Sequence, residues 1–219
     1  LHPEFSFVPQ WQPPCITELA GEDRCHLNGL AMRDGRPAYV TMMAASNEPA
    51  GWRATKDTSG ILLDVASQET TAHGFAMPHS PRCHQNQLWV LNSGHGALET
   101  VDASSGQREV VEQLPGYTRG LDFRGQVAFV GLSRIRETAI FGGLPISQSK
   151  EKLRCGVGIV DAGAGRTIGT IEFEAGVEEI FDVRVVPDAC CLALRGPRPG
   201  DDDDPDIWVV PRPEEVPRL

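Results

Sequence analysis

Residues 98–111 read LETVDASSGQREVV: an apolar run ends at an aspartate, a polar turn with a glycine follows, and a second apolar run begins. Residues 157–173, VGIVDAGAGRTIGTIEF, repeat this order, and ILLDVASQET at 61–70 has the same apolar run, aspartate and polar turn. Glycine supplies the positive φ that such turns need, so the pattern predicts β-hairpins. Asp102 and Asp161 are expected to accept backbone hydrogen bonds within their turns.

Further apolar runs precede the hairpins in a constant order. One set is AYVTMM, LWVLNS and AFVGLS at 38–43, 88–93 and 128–133, with CCLALR at 190–195 before IWVVP at 207–211 as a fourth copy. Ahead of these lie HLNGLAM, PHSPRCH, YTRGLDF and EIFDVRV at 26–32, 78–84, 117–123 and 179–185. A four-strand unit, A to D, that occurs about four times predicts an all-β fold, a β-propeller with about four four-stranded blades. An immunoglobulin-like sandwich competes, but it does not repeat a four-strand module.

We expect a single domain over residues 1–219. Residues 1–14 contain an orphan outer strand, FSFVPQW, which would complete the last unit and close the ring. The alternative is that blades are missing at the front. Residues 134–156 form a loop insertion between strands B and C of the third unit and would lie over the central funnel as a lid. Residues 197–206 form an acidic loop.

The net charge of −10 makes nucleic acid and anionic membranes poor partners. No stretch approaches the roughly 18 consecutive apolar residues of a membrane helix. The first residues lack the basic start and apolar run of a signal peptide, which favours a cytoplasmic location.

Several motifs are long enough to be specific: HLNGLAMRDGRPAYVT, GWR at 51–53, MPHSPRCH, LWVLNSG, GYTRGLDFRGQVAFVGLSRIRE and EIFDVRV. Together they resemble a bacterial family of propeller-like conserved hypothetical proteins, described as a domain of unknown function. The resemblance runs from about Cys15 to the end of the chain. Members of that family are longer at the front by roughly two blades, which implies that this chain is the C-terminal two-thirds of a six-bladed ring. The resemblance implies no particular activity.

Polar side chains stand at the entry to each A strand. Because the first strand of a propeller blade lines the central channel, these side chains are expected to converge on one axial funnel. They are His26 and Asn28, then His79, Ser80 and Arg82, then Arg119, and finally Glu179 and Asp182. The loops between strands B and C place Trp52, Arg53 and Arg134 on the same face.

Arginines beside histidines favour a small anionic or polar ligand, since guanidinium groups bind carboxylate and phosphate in bidentate fashion. The predicted ligand contacts are Asn28, Ser80, Arg82, Arg119, Trp52, Arg53 and Arg134. The alternative is a metal-dependent enzyme, either a lactonase- or esterase-like hydrolase, a lyase or an oxidoreductase. Its divalent metal would be held by His26, His79, Glu179 and Asp182, with His26, His79 and Glu179 as catalytic candidates. A protein-interaction scaffold that uses the rim is the second alternative.

A structural role is the other interpretation of each side chain. His79 would then cap a turn, His26 and Asn28 would satisfy backbone groups, and Arg119 would pair with Glu179. Sequence motifs of serine hydrolases, nucleotide-binding loops and zinc proteases are absent, so the sequence leaves open whether the protein is an enzyme.

Overall fold

The computed structural model describes residues 4–5, 8–135 and 142–189. The chain divides into two compact units, residues 1–21 with 186–219 and residues 22–185. All strands of the described residues belong to the second unit.

Three four-stranded antiparallel sheets follow one another along the chain, and in each sheet every strand pairs with the next one in sequence. Sheet 1 contains β1 Leu27–Arg33, β2 Arg36–Met42, β3 Gly60–Asp64 and β4 Thr70–Phe75. Sheet 2 contains β5 Pro78–His84, β6 Gln87–Asn92, β7 Ala97–Val101 and β8 Arg108–Gln113. Sheet 3 contains β9 Tyr117–Arg124, β10 Val127–Ser133, β11 Gly156–Asp161 and β12 Arg166–Glu172.

Helical structure in the described residues is limited to three short 3₁₀ segments, Arg53–Thr55, Ser93–His95 and Pro145–Lys152. A search of the same residues found no helix with the length and hydrophobicity needed to cross a membrane.

The all-β class and the four-strand unit are confirmed for three copies. The fourth copy differs: residues 179–185 were expected to form an A strand, and none is assigned there. Part of its backbone bonds to side chains instead of to a neighbouring strand: Ile180 N donates to Ser133 Oγ and Val185 N donates to Asp122 Oδ2. The runs at 190–195 and 207–211 and the acidic loop at 197–206 lie outside the described residues. Of the predicted strand within 1–14, residues 4–5 and 8–14 are described and carry no strand.

The aspartates of the predicted hairpins accept backbone hydrogen bonds within their turns. Asp102 Oδ1 accepts the backbone N–H groups of Ser104 and Ser105 at 2.9 and 2.8 Å. Asp161 Oδ1 accepts those of residues 163 and 164 at 3.1 and 3.0 Å. The expectation that these carboxylates have an architectural role is therefore confirmed.

The Asp102 turn is predicted to weaken in acid. Hydrogen bonds from the Ser104 hydroxyl, then from the Ser105 backbone and hydroxyl, lower the pKa of Asp102 from 3.8 to about 2. Because the folded pKa is the lower one, the stabilisation is present above pH 3.8 and is lost as the pH falls through 2. An NMR titration of the carboxyl carbon is expected to show this pKa, and Ser104→Ala is expected to raise it. Ser67→Ala, in the turn between β3 and β4, is the control that leaves it unchanged; an ordinary pKa for Asp102 in the unmodified protein would contradict the assignment.

Sheet 2 lies between the other two sheets and is buried on both faces. Leu88 and Val90 of β6 pack in a cluster with residues of sheet 1, and Trp89 and Leu91 pack in a second cluster with residues of sheet 3. Since side chains alternate along a strand, a strand covered on both faces has a continuous apolar run, as LWVL does.

A charged network is buried at the edge of the first of these clusters. The Glu99 side chain is 3% exposed, and its carboxylate accepts hydrogen bonds from Arg108 Nε at 2.8 Å and from Asn92 Nδ2 at 2.7 Å. Asn92 Oδ1 accepts the N–H of Ala76, which follows β4. The Arg108 guanidinium lies 3.8 Å from the centroid of the Phe75 ring. The network therefore joins sheet 2 to the end of sheet 1.

A third apolar cluster lies at the end of the sheets where the A strands begin. Its buried members include Met43, Trp52, Met77, Tyr117 and Leu144. Leu144 belongs to the predicted insertion at 134–156, which the structure does place between β10 and β11. Leu144 therefore packs against the face on which the funnel was predicted.

Candidate functional site

The first strands of the three sheets lie side by side in chain order. Each is followed by a two-residue turn, at 34–35, 85–86 and 125–126. Counting back six residues from each turn gives Asn28 on β1, His79 on β5 and Arg119 on β9. The same count from the turn at 187–188 gives Phe181. We call these four residues the inner row.

Close backbone approaches place the inner-row residues on adjacent segments. A Cβ on Gly29 would lie 3.1 Å from the backbone nitrogen of Ser80. Ser80 Oγ accepts the N–H of Gly120 at 3.0 Å, and a Cβ on Gly120 would lie 2.7 Å from the Asp182 Cα. Four residues directly follow an inner-row residue in the sequence: Gly29, Ser80, Gly120 and Asp182. The inner-row residues therefore lie at equivalent positions on the adjacent segments.

Asn28 is occupied by structural hydrogen bonds. Its Nδ2 donates to the Pro78 carbonyl at 3.0 Å, and its Oδ1 accepts from the Thr41 hydroxyl at 2.7 Å. The side chain therefore ties β1 to β2 and β5. This arrangement supports the structural interpretation of Asn28 and not the predicted ligand contact.

His79 is 4% exposed, and its ring lies edge-on to Tyr117 with centroids 5.7 Å apart. Its Nδ1 is 3.0 Å from the Met77 carbonyl oxygen and 2.9 Å from Ser93 Oγ. Burial, and next the charge of Arg119, lower the pKa of His79 to about 3. The ring is thus neutral at pH 7, and a base with so low a pKa is poorly matched to general-base catalysis there.

Arg119 stacks on the last member of the inner row. Its guanidinium carbon lies 4.5 Å from the centroid of the Phe181 ring, which is a cation–π contact. Within the described part of the chain Arg119 forms no ion pair. The expected bridge between Arg119 and Glu179 is therefore not seen.

A small cleft lies beside Arg119. Its volume is about 10 Å³, the space of a single water molecule. The cleft lies between β9, the loop after β10 and the segment at 179–180. The lining residues are Tyr117, Arg119, Ser133, Arg134, Ile135, Glu179 and Ile180. Three predicted site residues, Arg119, Arg134 and Glu179, are therefore brought together here.

His26 belongs to a separate cluster organised by Asp23. His26 Nδ1 donates to Asp23 Oδ1 at 2.7 Å, and Trp52 Nε1 donates to Asp23 Oδ2 at 3.0 Å. The Arg53 guanidinium is 3.9 Å from the same carboxylate. Trp52 is only 2% exposed and its ring is part of the third apolar cluster, which favours a packing role for Trp52 over the predicted ligand contact.

The Arg82 guanidinium donates its hydrogen bonds to backbone carbonyls. Nε donates to the Leu121 carbonyl at 2.8 Å, and Nη1 donates to the carbonyls of Pro81 and Leu30 at 2.9 and 3.4 Å. Nη2 lies 3.6 Å from Asp182 Oδ1. Burial, and next the charge of Arg184, lower the pKa of Arg82. These bonds join the three A strands and favour a structural role over the predicted ligand contact.

The other two predicted residues beside Arg82 also have partners. Ser80 accepts the Gly120 N–H, as described above. The Asp182 carboxylate lies 3.2 Å from Arg184 as well as 3.6 Å from Arg82. Among residues 4–5, 8–135 and 142–189, no three His, Cys, Asp or Glu side chains are arranged to hold a metal ion. The predicted metal set of His26, His79, Glu179 and Asp182 does not form such a group.

A wider groove than the cleft beside Arg119 lies at the opposite ends of the strands. It has a volume of about 730 Å³ and is lined by Arg33, Tyr39, Cys83, residues 86–88, 100–103 and 107–109. Two of these residues, Asp102 and Arg108, are already engaged by the hydrogen bonds described above. No residue of the predicted site lies in this groove.

Sequence reasoning missed Asp23, Tyr117 and Phe181. Asp23 precedes the first repeat unit, so the alignment of the units does not include it. Tyr117 and Phe181 lie within the predicted A-strand runs, but the sequence analysis assigns neither of them a role in the site. The signal that could have found Phe181 was the constant spacing of six residues between the inner row and the following turn.

The chain was also compared with known proteins. No curated protein matches it. Among solved structures, the computationally designed Ika4 protein is similar with a TM-score of 0.44 and 10% identity, over 80% of this chain and 88% of that chain. The computationally designed Ika8 protein has a TM-score of 0.42 and 11% identity, over 73% and 40%.

A family model described as "Domain of unknown function (DUF4915)" matches residues 1–194. The match covers most of the chain and confirms the resemblance to a family with a domain of unknown function. Its description assigns no activity to the members. The chain therefore belongs to the family "Domain of unknown function (DUF4915)".

Proposed function

We propose that this protein binds a small anionic ligand, through a carboxylate or phosphate group, at the cleft beside Arg119. The proposal includes a propeller arrangement in which the three sheets are blades and the inner row faces a common axis. The side-by-side contacts of β1 with β5 and of β5 with β9 support this arrangement, as does the approach of Gly120 to Asp182.

The observation that carries the proposal is the environment of Arg119. This cation is half-buried, with the cleft on one side and the exposed Phe181 ring on the other, and no carboxylate is paired to it among the described residues. A cation removed from water is costly unless an anion or several acceptors compensate it. A ligand oxyanion with one oxygen in the cleft would supply this compensation, since a charge-assisted hydrogen bond from a guanidinium to an oxyanion oxygen is strong and directional.

The size of the cleft limits what enters it. A volume of about 10 Å³ holds one oxygen atom of the ligand, so the remainder of the ligand must lie outside the cleft. Arg134 lines the same cleft and adds a second cation, while Glu179 adds one carboxylate, so two positive charges face one negative charge. The cleft therefore suits the charged end of a larger molecule.

Isothermal titration calorimetry with sodium acetate and with inorganic phosphate tests the proposal. Arg119→Gln is expected to weaken binding roughly tenfold or more, since hydrogen bonds to charged groups are worth about 1.5–3 kcal/mol. Arg124→Gln removes the same charge from the exposed end of the same strand and is expected to leave binding unchanged.

Two results would contradict the proposal: absence of binding of both anions to the unmodified protein, or equal loss of affinity in the two variants. Equal loss would show that net charge and not the cleft attracts the anion. The metal-dependent enzyme and the interaction scaffold stay predictions, because no arrangement among the described side chains favours either.

A further inference from the structure

The hydrogen bonds of His79 determine which of its nitrogens carries hydrogen. Nδ1 lies 3.0 Å from the Met77 carbonyl oxygen, and a carbonyl can only accept. Nδ1 must therefore carry the hydrogen. In the neutral ring Nε2 then holds a lone pair and can only accept a hydrogen bond.

His79 Nε2 is an acceptor without a described partner, in a residue that is only 4% exposed. Among the described residues Nε2 has no hydrogen-bond partner. The fully buried side-chain nitrogen and oxygen atoms that lack a partner in this part of the chain are Trp11 Nε1 and Thr118 Oγ1. Since Nε2 is not one of them, it retains contact with solvent and is an open acceptor.

The open acceptor lies next to the proposed anion site. His79 and Arg119 occupy the same inner-row position on adjacent strands, and the bond between Ser80 Oγ and Gly120 N holds their neighbours 3.0 Å apart. The Arg119 charge also acts on the His79 ring, where it disfavours protonation. His79 does not line the cleft itself, so the part of a ligand that extends from the cleft toward β5 would meet this acceptor.

We infer that the ligand is a hydroxy acid anion, whose carboxylate binds Arg119 and whose hydroxyl donates a hydrogen bond to His79 Nε2. The inference rests on the proposed function and narrows its ligand class. A hydroxyl suits this place better than an ammonium group, because a second cation would be repelled by Arg119. An anion without a donor would leave Nε2 without a protein or ligand partner.

The test compares lactate with propionate, which differ by one hydroxyl, in calorimetric titrations of the unmodified protein. Either enantiomer of lactate is expected to bind roughly threefold to tenfold more tightly than propionate, the usual contribution of one hydrogen bond. His79→Phe removes the acceptor and is expected to abolish this preference. Arg124→Gln is the matched control and keeps it.

A pH series provides a readout that needs no variant. His79 stays neutral down to about pH 3, so the preference for lactate is expected to be the same at pH 8 and pH 5. A histidine with the ordinary pKa of about 6.5 would be protonated at pH 5 and could no longer accept. Loss of the preference at pH 5 would overturn the assignment to a neutral His79 ring.

The outcomes separate this inference from the proposed function. If lactate and propionate bind equally and Arg119→Gln weakens both, the anion site stands and the hydroxy acid inference is wrong. If neither anion binds, the proposed function fails and the inference fails with it. Should His79→Phe not fold, the comparison of the two anions at both pH values decides.

Discussion

Glu99→Ala is expected to lower the free energy of unfolding by about 3–5 kcal/mol, the range found when one partner of a buried ion pair is removed. The Glu99 carboxylate is 3% exposed and is the acceptor for both Arg108 and Asn92. Without it, the Arg108 guanidinium stays largely buried on the Phe75 ring with only the His73 carbonyl as a described partner. Urea unfolding followed by tryptophan fluorescence measures the change.

Glu109→Ala is the matched control for this experiment. Glu109 lies on the neighbouring strand β8 and is exposed, so its loss is expected to change stability by no more than about 0.5 kcal/mol. The double variant Glu99→Leu with Arg108→Leu removes both charges and is expected to recover part of the lost stability. A Glu99→Ala protein as stable as the Glu109→Ala protein would show that the network does not hold the sheets together.

Gly120→Ala is expected to reduce stability by roughly 2–4 kcal/mol and to abolish anion binding. Gly120 has a φ of +86°, and a Cβ there would lie 2.5 Å from Val183 N and 2.6 Å from the carbonyl carbon of Asp182. Both contacts are with backbone, so the segment at 179–185 must move. Phe181 would move with it and leave Arg119 without its ring.

Gly125→Ala is the control that distinguishes the effect of backbone strain from the effect of a steric clash. Gly125 also has a positive φ, +60°, but a Cβ there would meet no atom within 4 Å. Its replacement is expected to cost about 1 kcal/mol and to leave anion binding intact. Calorimetry and urea unfolding of both variants measure the difference; equal effects on binding would contradict the role of the Gly120 approach.

The repeat of strands could be predicted from sequence because its signals are local. The run PHSPRCH coincides with β5, and Asp102 and Asp161 hold the turns as predicted. The segment at 179–185 was mistaken for a strand because its apolar pattern is the same as that of a strand. Its partners include the side chains of Ser133 and Asp122, which no local pattern reveals.

The site was predicted less completely for a related reason. By residue type, Arg82 and Arg119 were equally good candidates for a ligand contact. In the structure Arg82 donates hydrogen bonds to three backbone carbonyls, and Arg119 does not. That difference depends on how adjacent strands pack. The burial of Trp52 likewise depends on Leu144 and Tyr117, which are distant in sequence. The spacing to the turns, by contrast, could have aligned the inner row without coordinates.

The most direct test of the anion site is a crystal structure of the protein soaked in selenate, an oxyanion whose position anomalous scattering reveals. The account predicts a selenate within hydrogen-bonding distance of the Arg119 guanidinium, at the cleft that Arg134 also lines. Selenate found at other surface arginines, with none beside Arg119, would contradict it.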